Sequence, residues 1–217
     1  MFGDDFIPLE PVNFFALSCD CYYHEYDPKK DLGSKFILPD TSGLCGEDTF
    51  AEVAMAWSND GITIQVKVDE PCEHVSYSDV TQGDSVELFF DTRDVKTSGY
   101  NTRYCHHFFF LPKEIDEHIA GEKTHFRTED VHELCDPKQL KVISSLKKSS
   151  YTLKIFLPSQ CLYGYDPEQF DRLGFTYRIN RFNGIPQHFS VVSQEYQLEQ
   201  QPSLWSSVRL IHGNGTK

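Results

Sequence analysis

The chain has 217 residues, of which 39% are hydrophobic and 14% aromatic, so it suits one large all-β domain or two small ones and not a disordered chain. Acidic residues outnumber basic ones by 33 to 20, which gives a formal net charge of −13. Nucleic acids and anionic membranes attract clustered Lys and Arg, so this balance argues against both as partners.

In chain order, short runs of alternating apolar and polar residues are separated by turn signals, with almost no helical periodicity. This succession is typical of an all-β protein, and it predicts an antiparallel β-sandwich of a jelly-roll-like kind. No sharp change of composition divides the chain, so residues 1–217 are predicted to form a single domain. The acidic segment 113–134 is predicted to be an insertion loop with room for a short helix. The predicted strands cover residues 12–17, 19–26, 36–38, 51–57, 62–68, 84–91, 104–111, 140–146, 151–157, 173–179, 187–192 and 205–211.

The strongest local signal is a β-hairpin in the first third of the chain. Alternate residues of 51–57 are apolar, and residues 62–68 alternate apolar and polar side chains along their whole length. Asn59-Asp60-Gly61 lies between the two runs and is typical of a tight turn. The two runs are therefore predicted to pair as antiparallel neighbours.

The strand predicted over residues 84–91 has two unlike faces. Its apolar alternate residues, which include Val86 and Phe90, point to the core. The other face carries Glu87 and Asp91, with an aromatic residue between them. A core strand with carboxylates on its second face is either part of a solvated sheet or the floor of a polar site.

The cysteines and the N-terminus bear on the cellular compartment. No Cys-x-x-Cys pair exists, and scattered cysteines are typical of reduced thiols in a reducing compartment. The first eight residues are acidic and lack a long apolar run, so no secretory signal is predicted. No run approaches 18 apolar residues, so no transmembrane helix is predicted either. These observations favour a soluble, cytoplasmic protein. The cysteines are at positions 19, 21, 45, 72, 105, 135 and 161.

Several motifs in order resemble one known family. Trp57 leads into the Asn-Asp-Gly turn, and a polar loop then leads into Asp84-Ser-Val-Glu-Leu-Phe-Phe-Asp91. Leu173-Gly-Phe-Thr-Tyr-Arg-Ile-Asn180 and a late Trp205 follow towards the end. Over about residues 48–210 the chain resembles the family 9 carbohydrate-binding modules, within the wider group of DOMON-like β-sandwiches.

The resemblance implies a sandwich that binds a sugar between aromatic rings without catalysing a reaction. It implies Trp57 or Trp205 as stacking platforms, Glu87 as an acceptor for sugar hydroxyls and Arg103 as a donor. Residue type alone leaves alternatives open, because Trp57 also suits a core position. Glu87 and Arg103 also suit an ordinary cross-strand ion pair.

The resemblance also implies a structural part for calcium, although no cofactor is otherwise predicted. Asp79, Asp84 and Asp91 are the candidate ligands, because calcium takes carboxylate oxygens. The alternative is that these three acids are simply solvated.

Two further kinds of site have weaker support. His118, His125 and His132 recur every seven residues and could hold a metal with Glu122 or Glu129 if the segment were helical, although a solvated charged loop is favoured.

A hydrolase would need paired carboxylates about 5 to 9.5 Å apart. Glu87 and Asp91 share a face but are separated by roughly 13 Å of extended strand.

The preferred hypothesis is a non-catalytic carbohydrate-binding protein. The alternative is a protein-interaction sandwich that has lost sugar binding and docks a partner through the segment 113–134.

Overall fold

The computed structural model describes residues 17–212, and eleven strands form one sheet. Within this described part, helical structure is limited to α1, Ser42–Cys45, and to 3-10 turns at Ser34–Phe36, Val80–Gln82, Pro137–Gln139, Ser159–Cys161, Leu198–Gln200 and Pro202–Leu204. The strands are β1 Ser18–Tyr23, β2 Ala51–Ser58, β3 Gly61–Val68, β4 Ser85–Asp91, β5 Cys105–Ile115, β6 His118–Glu122, β7 Lys141–Leu146, β8 Tyr151–Pro158, β9 Arg172–Asn180, β10 Gln187–His188 and β11 Ser206–Ile211.

The strand order is β6-β5-β4-β9-β11-β1-β2-β3-β8-β7, and β10 is attached to β9. The sheet folds over on itself, so that β5 in one arm lies against β7 and β8 in the other arm. The nearly closed, all-β architecture confirms the predicted β-sandwich. Among the strands described, β1 alone departs from antiparallel pairing, because it runs parallel to both β11 and β2. Among residues 17–212, no helix is long and apolar enough to cross a membrane.

The predicted hairpin is confirmed by continuous pairing of β2 with β3. Its turn needs glycine for a local reason. Gly61 has a φ of +144°, and a Cβ atom there would lie 2.1 Å from the carbonyl oxygen of Leu157 on β8. Only a residue without a side chain lets β8 approach the start of β3 this closely.

Both faces of β4 are buried, which the two-residue period alone did not reveal. Val86, Leu88 and Phe90 point into the main core between the two arms of the sheet. On the opposite face, Phe89 packs in a second apolar cluster with Trp205. Loop segments therefore cover the outer face of the sheet, and Glu87 is not a solvated surface residue.

Several local predictions differ from the structure. The predicted strand 12–17 lies outside the described residues except for Leu17, and the predicted strand 187–192 is only two residues long. The first part of the predicted loop 113–134 is largely strand, because β5 runs to Ile115 and β6 spans His118–Glu122.

The prediction that the cysteines are unpaired was wrong, because Cys135 and Cys161 form a disulfide. Spacing could not show this pair, which joins a loop to a 3-10 turn 26 residues later. The cytoplasmic location stays a prediction.

We expect Gly61→Ala to destabilise the protein by roughly 2 kcal/mol or more, because the new methyl group meets a backbone carbonyl at a positive φ. Gly33→Ala is the matched control, since a Cβ there meets nothing within 4 Å and the φ is −77°. Urea unfolding at neutral pH measures both changes. Equal effects of the two substitutions would contradict this explanation of the turn.

Candidate functional site

The central polar feature of the outer face is the carboxylate of Glu87, whose side chain has no exposed surface. Its Oε1 atom accepts from Lys123 Nζ at 2.8 Å and from His107 Nε2 at 2.9 Å. Its Oε2 atom accepts from Arg178 Nε at 2.6 Å and from Asn180 Nδ2 at 2.8 Å. We call these five residues the Glu87 cluster.

Sheet pairing brings the Glu87 cluster together. In β9, Arg178 lies directly opposite Glu87, and Asn180 follows two residues later on the same face. In β5, Phe109 lies opposite Glu87, so His107 is its diagonal neighbour on that face. Lys123 comes directly after the end of β6.

The charges of the cluster follow from burial and contacts. Burial acts to raise the pKa of Glu87, but the hydrogen bond from His107 and the charge of Arg178 outweigh it and hold that pKa well below its usual range. Burial lowers the pKa of His107, so the ring is neutral and donates through Nε2. Glu87 is therefore an ionised carboxylate facing two cations.

Glu87 has no acceptor capacity left for a ligand. Its two oxygens offer about four lone-pair sites, and four donors already occupy them. The predicted role of Glu87 as a direct acceptor for sugar hydroxyls does not fit this geometry. The carboxylate instead holds the side chains of Lys123 and Arg178 in place.

The cations of the cluster keep unused donors. Lys123 is 36% exposed and Arg178 is 11% exposed. The guanidinium of Arg178 has no hydrogen-bond partner other than Glu87 among residues 17–212. Beyond Phe109 lies Tyr77, which is 39% exposed, with 5.9 Å between the two ring centroids. This side of the sheet thus combines charged donors with an accessible aromatic ring.

The two tryptophans do not present a ring face to solvent. Trp57 has no exposed surface, packs edge-on against Tyr23 and donates from Nε1 to the carbonyl of Ile211. Trp205 is 1% exposed and donates from Nε1 to the carbonyl of Leu198. The predicted stacking role is therefore not open to either ring in this conformation, and the core alternative describes both.

Arg103 lies apart from the cluster. It is exposed and pairs with Asp130, so the predicted ion pair between Glu87 and Arg103 was wrong. The partner is Arg178, which the period of residues 173–180 places on the same face as Asn180. The missing information was the register between β4 and β9, which lie about 90 residues apart in the sequence.

The three predicted calcium ligands do not form one site. Asp79 accepts from the backbone and hydroxyl of Thr81, and Asp91 accepts from two backbone N–H groups just after β4. Asp84 accepts from the N–H groups of Glu73, His74 and Phe182. Asp84 directly precedes β4 and Asp91 is the last residue of that strand, about 23 Å away along an extended chain, so they cannot share an ion. Asp79 and Asp91 each stabilise their own turn, whereas Asp84 joins the loop at Glu73 and His74 to Phe182 beyond the end of β9.

A second buried polar group lies on the inner face of β5. Glu122 Oε1 is 2.8 Å from His106 Nδ1, 2.9 Å from His132 Nε2 and 2.7 Å from the hydroxyl of Thr124. Glu122 Oε2 accepts from the N–H of Cys135 at 2.8 Å. The three ligand atoms of His106, Glu122 and His132 lie within 4.8 Å of one another. We call these three residues the His-Glu-His cluster.

The predicted histidine repeat is only partly reproduced. No helix forms in this segment, His118 stacks on Tyr77, and His125 is exposed. His132 and Glu122 do meet, but their third partner is His106 of β5. Burial would raise the pKa of Glu122, yet its contacts with the two imidazoles lower that pKa to about 2.

An open cleft of about 500 Å³ lies beside the His-Glu-His cluster. The disulfide forms part of its wall, and neither Glu87 nor any of its four partners lines it. The lining residues are Glu133, Leu134, Cys135, Asp136, Gln139, Gln160, Cys161 and Tyr163.

A comparison of the sequence with known protein families agrees with this architecture. The family described as "Carbohydrate family 9 binding domain-like" matches residues 35–212, which is most of the chain. The chain therefore belongs to the carbohydrate family 9 binding domain-like family. No curated protein matches the sequence.

Solved structures show the same fold at low sequence identity. A family 9 carbohydrate-binding module from Caldicellulosiruptor kristjanssonii in complex with cellotriose is 14% identical, with a TM-score of 0.65 over 91% of this chain and 95% of that one. A family 9 module from the same organism in complex with glucose is 13% identical, with a TM-score of 0.66 over 93% and 99% of the two chains.

Acid should destabilise the protein partly through Glu87. Its carboxyl has a lower pKa when folded than when unfolded, so the unfolded chain binds more protons and stability falls as the pH falls below about 4.5. We expect Glu87→Gln to lower stability at pH 7, because it leaves Arg178 without its counter-charge, and to flatten the dependence on pH between about 5 and 3.

Urea unfolding across this pH range measures the effect. Glu52→Gln is the control, because Glu52 forms an exposed ion pair with Lys67. An unchanged pH dependence in Glu87→Gln would contradict the assigned charge state.

Proposed function

We propose that the chain binds a carbohydrate, without catalysis, on the outer face of the sheet above Glu87. The observation that supports this most directly is the Glu87 cluster itself. A buried carboxylate whose acceptor sites are all used fixes two cationic side chains that still have free donors at the surface. Because the chain belongs to a carbohydrate-binding family, we interpret these donors as contacts for a sugar.

The donors match the polar edge of a sugar ring. Sugar hydroxyls accept hydrogen bonds from charged donors, and such bonds are stronger than those between neutral groups. The guanidinium of Arg178 offers a fixed fork of N–H groups, because its Nε is held by Glu87. Lys123 adds a second, more mobile donor.

Tyr77 matches the apolar face of a sugar. One side of its ring is covered by the imidazole of His118, with 3.8 Å between ring centroids. The residue nevertheless remains 39% exposed. An aromatic ring supported from behind offers a rigid platform for C–H groups at little entropic cost. This role replaces the stacking role expected of the two tryptophans.

The structural relatives suggest the first ligands to test. Their complexes contain cellotriose and glucose. We therefore propose a glucose-containing oligosaccharide as the ligand class.

A second candidate function is recognition of a protein partner. Leu134 and Tyr163 line the cleft beside the disulfide and are 46% and 45% exposed, and Val131 nearby in the sequence is 49% exposed. Exposed apolar side chains of this size suit a protein contact. Residues 131 and 134 belong to the segment that the sequence suggested as a docking loop.

Calorimetric titration with glucose and cellotriose tests sugar binding. We expect Tyr77→Ala and Arg178→Met each to weaken binding by about tenfold or more, since each removes a direct contact. Tyr100→Ala is the control, because Tyr100 is similarly exposed, at 43%, in another loop.

A folded wild-type protein that binds neither sugar would reject the proposed ligand class and favour the protein-interaction alternative. Equal binding by Tyr77→Ala and Tyr100→Ala would reject the proposed platform.

A further inference from the structure

Three polar atoms lie close to Oε1 of Glu122, which is more than one carboxylate oxygen can accept hydrogen bonds from. A carboxylate oxygen offers about two lone-pair sites. Oε1 of Glu122 nevertheless has two imidazole nitrogens and one hydroxyl within 2.9 Å. Oε2 of the same carboxylate has only the N–H of Cys135. The contacts are thus concentrated at the one point where both imidazoles converge.

The hydrogen bonds of His132 indicate a positive charge at the same point. Its Nδ1 lies 2.7 Å from the carbonyl oxygen of Arg103, which can only accept, so Nδ1 carries the hydrogen. In a neutral ring Nε2 then has a lone pair, and it points at Glu122 Oε1 from 2.9 Å. Two lone pairs at this distance repel each other, so a positive charge has to lie between them. That charge is either an additional proton or a metal ion.

Both histidines have the surroundings that metal ligands have in proteins. A ligating imidazole usually donates its other N–H to a backbone carbonyl or a carboxylate, which fixes the ring. His132 has the carbonyl of Arg103 in that position, and His106 has the carbonyl of Tyr163 at 3.5 Å from Nε2. The side chains of all three cluster residues are at most 1% exposed, so their positions are already fixed by packing.

The separations are close to those of a small coordination shell. Zinc bonds to nitrogen and oxygen are about 2.0 to 2.2 Å long, so neighbouring ligand atoms in a tetrahedral site are roughly 3.3 Å apart. The two nitrogens lie 2.8 and 2.9 Å from Glu122 Oε1, and all three atoms lie within 4.8 Å of one another. The two oxygen-to-nitrogen distances are therefore within about half an ångström of the separation that a tetrahedral site requires.

The neighbouring cleft is the route by which we expect an ion and a fourth ligand from solvent to reach the cluster, although His106, Glu122 and His132 do not line it themselves. Cys135 lines the cleft and donates its N–H to Glu122 Oε2. Tyr163 also lines the cleft, and its ring lies parallel to that of His132, with 6.0 Å between centroids. The cleft and the cluster therefore share a wall.

We propose that His106 Nδ1, His132 Nε2 and Glu122 Oε1 bind one divalent transition-metal ion of the zinc type. Two imidazoles and one carboxylate suit zinc and cobalt better than calcium, which prefers oxygen ligands. The site lies on the inner face of β5, whereas the sugar-binding surface proposed above lies on the outer face. A result that rejects sugar binding therefore does not reject metal binding, and the reverse also holds.

Binding of Zn²⁺ and Co²⁺ to the untagged full chain tests the proposal. We expect about one ion per chain for the wild-type protein, and a visible Co²⁺ spectrum of the tetrahedral kind that Zn²⁺ abolishes by competition. His132→Ala should reduce the affinity by more than about tenfold. His125→Ala is the matched control and should bind as the wild type does, because His125 is an exposed histidine outside the cluster.

X-ray absorption of the zinc-loaded wild-type protein gives a second test that does not depend on the folding of a variant. We expect nitrogen and oxygen ligands with imidazole scattering and no sulfur. A wild-type protein that binds neither ion would overturn the proposal and leave a proton between His132 and Glu122. Sulfur ligation by the free cysteines would overturn it too, as would equal binding by His132→Ala and His125→Ala.

Discussion

A carboxylate with no access to water has to be neutralised by the protein, and much of the outer face follows from how Glu87 meets that constraint. Its side chain lies between two apolar clusters, one around Phe89 and one around Phe109. An isolated charge in that position would be strongly unfavourable. Strand pairing places Arg178 opposite it, so the charge is balanced within the sheet itself. The same pairing holds the guanidinium in one orientation at the surface.

Neighbouring side chains at β5 and at the end of β6 point to opposite faces of the sheet, so a second buried carboxylate lies on the inner face. His106 and His107 are neighbours that point to opposite faces of the sheet, and each meets a buried carboxylate there. Glu122 and Lys123 behave in the same way, since the first contacts His106 on the inner face and the second contacts Glu87 on the outer face. The segment from β5 to the end of β6 therefore contributes residues to two chemically different clusters on opposite faces of the sheet.

The fold could be predicted from the sequence because strand period and turn chemistry are local properties. The hairpin at Asn59-Asp60-Gly61 and the two faces of β4 follow directly from them. The site could be predicted only in part. Glu87 stood out as an acid in a core strand, but its partner Arg178 depends on a register between distant strands. For Trp57 and Trp205 the choice between a stacking platform and a core position stayed open, because residue type does not show which surfaces later loops cover.

The central claim is that Glu87 fixes Arg178 as the principal donor of a sugar-binding surface. Nuclear magnetic resonance of the Arg178 Nε–H group during titration with cellotriose tests this most directly. The predicted result is a saturable shift of that signal and of the Asn180 side-chain amide, with little change at residues that line the cleft beside Cys135. A titration that leaves Arg178 unchanged, or that shifts mainly the cleft residues, would contradict the claim.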